Sequence, residues 1–157
     1  MMKHLTLTSL LLSLILLSSC TASKQLRAHR TELDRLANVE TDSQKKFDGF
    51  ATVVATALDE ATNFESPIRT VRYLQRFTKK NQDEIVLLTD QLEEYLKSLN
   101  SAQRMALVGR SLTKPYGRKL ARLIPKINKM VENGDFELGP LERTLGLFAL
   151  KQAVKRR

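Results

Sequence analysis

Between Asp83 and Leu99 the apolar residues Ile85, Leu88, Leu92, Tyr95 and Leu99 recur at alternating intervals of three and four. That spacing lines one face of a helix. Asp90, Glu93, Glu94 and Lys97 take the opposite face. The pattern lasts about two heptads, short of the three or four that argue for a coiled coil, so the face is expected to be buried by other helices of the same chain. Similar stripes run through Phe47, Phe50, Val54, Ala57, Leu58 and Ala61, through Ile68, Val71, Leu74 and Phe77, and through Met105, Leu107, Val108 and Leu112. Two more run through Leu120, Leu123, Ile124, Ile127, Met130 and Val131, and from Leu141 through Leu145 and Phe148 to Val154.

The punctuation between these stripes fits helix ends. Asp42 or Ser43 reads as an N-cap, Ser66-Pro67 as a cap followed by proline at the first helical position, and Asn100 or Ser101 as the next cap. Lys114 to Gly117 reads as a tight bend in which Pro115 fixes φ and Gly117 supplies a positive one. Pro125 falls inside an apolar stripe and predicts a kink or restart. Six glycines, four prolines and a preponderance of strong helix formers make the expected class all-α. The expectation is a compact bundle of five or six helices over residues 42–157. Phe50, Val54, Leu74, Leu88, Leu92, Leu123, Ile127 and Phe148 belong to its core. A single cysteine excludes an internal disulfide, so that core has to hold the fold together.

The N-terminus is of another kind. Lys3 precedes a run from Leu5 to Leu17 made only of leucine, isoleucine, threonine and serine, followed by Ser18-Ser19-Cys20. Thirteen apolar or small residues are too few to span a bilayer, which takes about 20. They match the hydrophobic stretch of a secretory signal. Leu17-Ser18-Ser19-Cys20 resembles a bacterial lipoprotein box. The resemblance implies cleavage after residue 19, acylation of Cys20, and residence in the cell envelope. Thr21, where an aspartate would signal inner-membrane retention, points to the outer membrane facing the periplasm. Residues 1–19 are then a removed signal peptide. Residues 20–41, with only Leu26, Leu33, Leu36 and Val39 as apolar points, read as a polar tether or a surface helix.

Charge divides the mature chain. From Thr21 to Asn100 there are 12 Lys and Arg against 13 Asp and Glu; from Ser101 to Arg157 there are 13 against 4. Within Ser101 to Met130 stand Arg104, Arg110, Lys114, Arg118, Lys119, Arg122, Lys126 and Lys129, with no acid. Like charges four apart on a helix repel by a few tenths of a kcal/mol, and Arg118, Arg122 and Lys126 repeat that spacing. Long basic side chains also cover apolar surface with their stems, which is the competing account. Arg110, Lys114, Arg118, Lys119, Arg122, Lys126 and Lys129 are the candidate anion-binding residues.

Residues 99–130 resemble part of an exported proteobacterial family of unknown function, which has a Pro-x-Gly-x-Lys turn before a proline-containing helix. Pro115, Gly117, Lys119, Leu120 and Pro125 fall at the corresponding places. The departures are Leu112-Thr113, where an aromatic pair is usual, and Lys114, where serine is common. The resemblance implies an exported helical domain and lends no activity.

Catalytic groupings are absent from the sequence. There is no Gly-x-Ser-x-Gly, no phosphate loop and no His-Glu-x-x-His. His29, the one histidine of the mature chain, reads as an exposed surface residue; with Glu32 it would give only two metal ligands. Neighbouring carboxylates such as Asp59-Glu60 and Glu93-Glu94 point about 100° apart on a helix and read as solvated charges. The sequence thus predicts a non-enzymatic lipoprotein with no cofactor and no metal. It would be bound to the membrane through Cys20, its basic helical face engaging an anionic envelope component. Anionic lipid, lipopolysaccharide, peptidoglycan and an acidic envelope protein are the candidates; export argues against nucleic acid. The alternative is a helical module that holds a partner protein or a lipid in an apolar groove.

Overall fold

The computed structural model describes residues 24–149. Cys20, the run read as a signal peptide and the basic tail from residue 150 onward, with Val154 of the last stripe, lie outside the described residues. Those described form seven helices and no strand. They are α1 (24–38), α2 (Ser43–Thr62), α3 (Pro67–Lys80), α4 (Gln82–Ser98), α5 (Ser101–Thr113), α6 (Pro115–Gly134) and α7 (Pro140–Phe148). The all-α bundle expected from the sequence is what forms: six helices from Ser43 onward, within the five or six expected there, preceded by α1.

Helix α2 is the hub. It buries Phe47, Phe50, Ala51, Val53, Val54, Ala55, Ala57, Leu58 and Ala61, residues distributed around most of its circumference. An apolar arc of more than half the circumference can be covered only by several neighbours, and α3, α4 and α6 all pack against it. Its four buried alanines let the neighbouring backbones come close. Asp42 caps it, Oδ1 accepting from the Lys45 amide at 3.0 Å. Asn100 caps α5 with a reciprocal box, its Oδ1 accepting from the Gln103 amide while Gln103 Oε1 accepts from its own.

Of the two readings of residues 20–41, tether or surface helix, α1 is the helix: its outer face is exposed and its inner stripe packs on the bundle. Leu26, Leu33, Leu36 and Ala37 are buried. His29 is only 7% exposed, so the expectation of a surface histidine fails. Its Nε2 stands 2.8 Å from Glu60 Oε2, to which the Tyr73 hydroxyl donates at 2.5 Å, and its ring meets Phe77 edge-on at 5.5 Å. Burial, then the hydrogen bond to Glu60, raise the Tyr73 hydroxyl well above its ordinary range. With His29 beside Glu60 and Leu36 against Gly49, α1 runs antiparallel to α2.

Two readings of special residues change as well. Gly117 lies inside α6 without a positive φ, and the bend falls instead at Lys114, whose extended ψ of 153° separates α5 from α6. Glycine is required at 117 for space: a Cβ there would sit 1.8 Å from the Ser111 carbonyl oxygen. Helix α6 also runs through Pro125 without a restart. Pro125 and Ala121 are both exposed, so the carbonyl freed by the missing N–H lies on the solvent side, where water can satisfy it.

All eight residues named for the core are buried, Leu74, Leu88 and Ile127 completely. Ile68 and Met105, assigned to apolar stripes, are 49% and 56% exposed. Ile68 sits in the first turn of α3 and Met105 in the second turn of α5. Helix α7 closes the bundle over α4. Thr89 Oγ1 and Thr144 Oγ1 meet at 2.8 Å in the interior, and the Arg143 guanidinium grips Asp90 at 2.7 Å and both oxygens of Glu93.

Candidate functional site: the basic ridge of α6

Helix α6 divides into an apolar face and a basic face, as its sequence predicts. Leu120, Leu123, Ile124 and Ile127 point into the bundle, while Arg118, Arg122, Lys126 and Lys129 are exposed. Positions 118, 122, 126 and 129 fall within about 80° of arc at 100° per residue, so these four side chains share one ridge.

The seven candidate cations do not act as one set. Lys114 Nζ pairs with Asp48 of α2, and the Tyr116 hydroxyl donates to the other oxygen of that carboxylate at 2.7 Å. Lys119 reaches Asp59 at 2.8 Å, and Arg122 reaches the second Asp59 oxygen at 3.3 Å. The Arg110 guanidinium donates to Gln44 Oε1 at 2.9 Å. Arg110, Lys114 and Lys119 thus clip α5 and α6 onto α2, and Arg122 does so in part. Arg118, Lys126 and Lys129 make no ion pair among the described residues. Arg104, also in the acid-free stretch, donates to the Leu99 and Lys97 carbonyls at the end of α4.

The Asp48 cluster has its own electrostatics. Burial pushes the carboxyl up, but hydrogen bonds from Lys114 and Tyr116 outweigh it and hold Asp48 below its ordinary value. Burial raises the Tyr116 hydroxyl to about 12; the Asp48 carboxylate adds to the rise and the Ser111 hydroxyl opposes it. Neither group titrates near neutral pH, so the cluster is a permanent tie.

The expectation that Asp59 and Glu60 are solvated charges is overturned: Asp59 holds Lys119 and Arg122, and Glu60 meets His29 and Tyr73. Asp48 and Asp59 are eleven residues apart, three helical turns, and so lie on one stripe of α2. That stripe is visible in the sequence, but which basic helix packs against it is not. Their pairings with Tyr116 and Lys119 match eleven residues of α2 to three of α6, so the two helices cross at a steep angle.

An apolar cleft flanks the ridge, lined by Phe47, Leu112, Tyr116, Leu120, Ile124 and Phe148 among others, with a volume of about 170 Å³. Sites for drug-sized ligands run about 300–1,000 Å³, so this cleft is small. Among the described residues no three His, Cys, Asp or Glu side chains are placed to hold a metal ion, and no helix is long and apolar enough to cross a membrane.

Compared with known proteins, the chain matches no family model, and neither a curated protein nor a solved structure shows significant similarity to it. The functional reading therefore rests on the residues of this chain.

Proposed function

We propose that this chain is a non-enzymatic lipoprotein of the bacterial envelope, acylated at Cys20, whose helical domain uses the α6 ridge to engage an anionic envelope component. The observation that carries the reading is that Arg118, Lys126 and Lys129 stand exposed on one ridge with no carboxylate partner among the described residues. Cations that serve only the fold find acids, as Lys114 and Lys119 do; these three face outward. Helix α6 accepts their mutual repulsion, which an anionic surface would relieve. The groove alternative has less support, because the cleft is smaller than ordinary ligand pockets.

The test compares wild type with an Arg118→Glu/Lys126→Glu/Lys129→Glu variant of the full chain, at low and high salt. The targets are anionic and neutral vesicles, lipopolysaccharide, peptidoglycan and envelope extracts. Wild-type binding to one anionic target should weaken as salt rises, and the variant should bind that target poorly. Equal binding by both proteins, insensitive to salt, refutes the ridge. Cys20→Ala should abolish fatty-acid labelling; equal labelling of both forms refutes the lipoprotein reading.

A further inference from the structure

The directions of the helices bring several separate features to one end of the bundle. Helix α1 runs antiparallel to α2, with His29 level with Glu60, so residues 24–27 lie beside the turn that joins α2 to α3. Lys119 and Arg122 of α6 reach Asp59, one turn before the end of α2. At the turn itself Phe64 and Ile68 are exposed, by 37% and 49%. Phe64 leans on the Tyr73 ring at 5.7 Å.

We infer that this end of the domain is a membrane-docking surface that rests on an anionic lipid bilayer, with Phe64 and Ile68 entering the interface and Lys24, Arg27, Arg69 and Arg72 meeting headgroups. The orientation rests on the reading of Cys20 as the lipid anchor. Only Thr21, Ala22 and Ser23 separate Cys20 from residue 24, and four residue steps span at most roughly 14 Å. An anchor so close to α1 holds this end of the bundle against the bilayer. The local charge suits it: Lys24, Arg27, Arg69 and Arg72 stand there, exposed, against Glu65, while Asp59 and Glu60 are already engaged within the bundle. Exposed phenylalanine and isoleucine flanked by cations are the chemistry of an interfacial site. Val39, 69% exposed in the α1–α2 connection, lies at the opposite end of that helix pair and serves as the control.

The chain has one cysteine, so Ile68→Cys and Val39→Cys can each carry a single environment-sensitive fluorophore once Cys20 is acylated or replaced by serine. Full-length protein in both backgrounds is mixed with phosphatidylglycerol–phosphatidylcholine vesicles containing a quencher in the bilayer, and thermal melts confirm that the labelled variants remain folded. Docking predicts quenching at position 68 several-fold greater than at 39. It also predicts at least about a tenfold loss of that quenching's vesicle affinity in the Arg27→Glu/Arg69→Glu/Arg72→Glu variant. Equal quenching at the two positions, or quenching at 68 that ignores charge reversal and salt, overturns the docking surface. Fatty-acid labelling of wild type and Cys20→Ala decides the anchor separately. Should the anchor fail there, the Cys20→Ser measurements still decide the docking.

Discussion

The backbone of Gly117 lies so near Ser111 that a Cβ on Gly117 would stand 1.8 Å from the Ser111 carbonyl oxygen. The obstacle is backbone at the α5–α6 junction, which no rotamer change relieves. Gly117→Ala should destabilise the domain by about 1–3 kcal/mol, the usual range for overpacking. Gly109 and Gly146 also lie in helices but face open space. Alanine at either should stabilise by about 0.5–1 kcal/mol through helix propensity. Urea unfolding of the three variants checks both signs.

Helix α1 should behave as part of the core. Leu36 is fully buried and lies against Gly49 of α2, so Leu36→Ala should cost about 2–5 kcal/mol. Leu92→Ala in α4, equally buried, should fall in the same range. A change below about 0.5 kcal/mol for Leu36→Ala would return residues 24–38 to the role of a tether.

Why the sequence leaves α1 open between tether and helix but shows α4 plainly follows from the residues. Helix α4 carries its apolar face as unbroken leucine, isoleucine and tyrosine. In α1 the stripe passes through Leu26, His29, Leu33 and Leu36, and a histidine reads as a gap. It fills that position only because Glu60 and Phe77 meet it, and both are more than thirty residues away. Ile68 shows the opposite error. It keeps helical spacing with Val71 and Leu74, but it sits in the first turn of α3, where the covering helix α2 has already ended. The basic ridge was legible as a pattern because it depends on one helix alone. Its division into tied and outward cations was not, since it depends on Asp48 and Asp59 from another helix.

The Asp48 tie sets an acid limit. Hydrogen bonds from Lys114 and Tyr116 hold this carboxyl below its ordinary value of 3.8 against the upward push of burial. A carboxyl lowered on folding contributes its full stabilisation above the unfolded value and loses it as pH falls through the lower folded one. Asp48→Asn should therefore lower stability by about 1 kcal/mol or more at pH 7. The gap between variant and wild type should close as pH drops below about 3.8. Other lowered carboxyls, Glu93 with Arg143 among them, are common to both proteins, so chemical denaturation across pH isolates Asp48. A gap that stays constant into acid would show that the lost contact is one of packing.

Stability and binding should separate along the ridge. Lys119 shares Asp59 with Arg122 and is half-covered by α2, so Lys119→Glu places a carboxylate against Asp59. Exposed ion pairs are worth about 0.2–1 kcal/mol, and reversal adds repulsion to that loss, so a destabilisation of about 1 kcal/mol is expected. Arg118→Glu and Lys129→Glu break no ion pair among the described residues and relieve like-charge crowding on α6. Each should move stability by less than about 0.5 kcal/mol. Binding to the anionic target should respond in the opposite order, falling more for Arg118→Glu and Lys129→Glu than for Lys119→Glu, whose cation is already engaged. Thermal melts and vesicle binding on the same three proteins supply the comparison. If all three lose stability equally and binding is unchanged, the outward cations belong to the fold and the ridge has no partner.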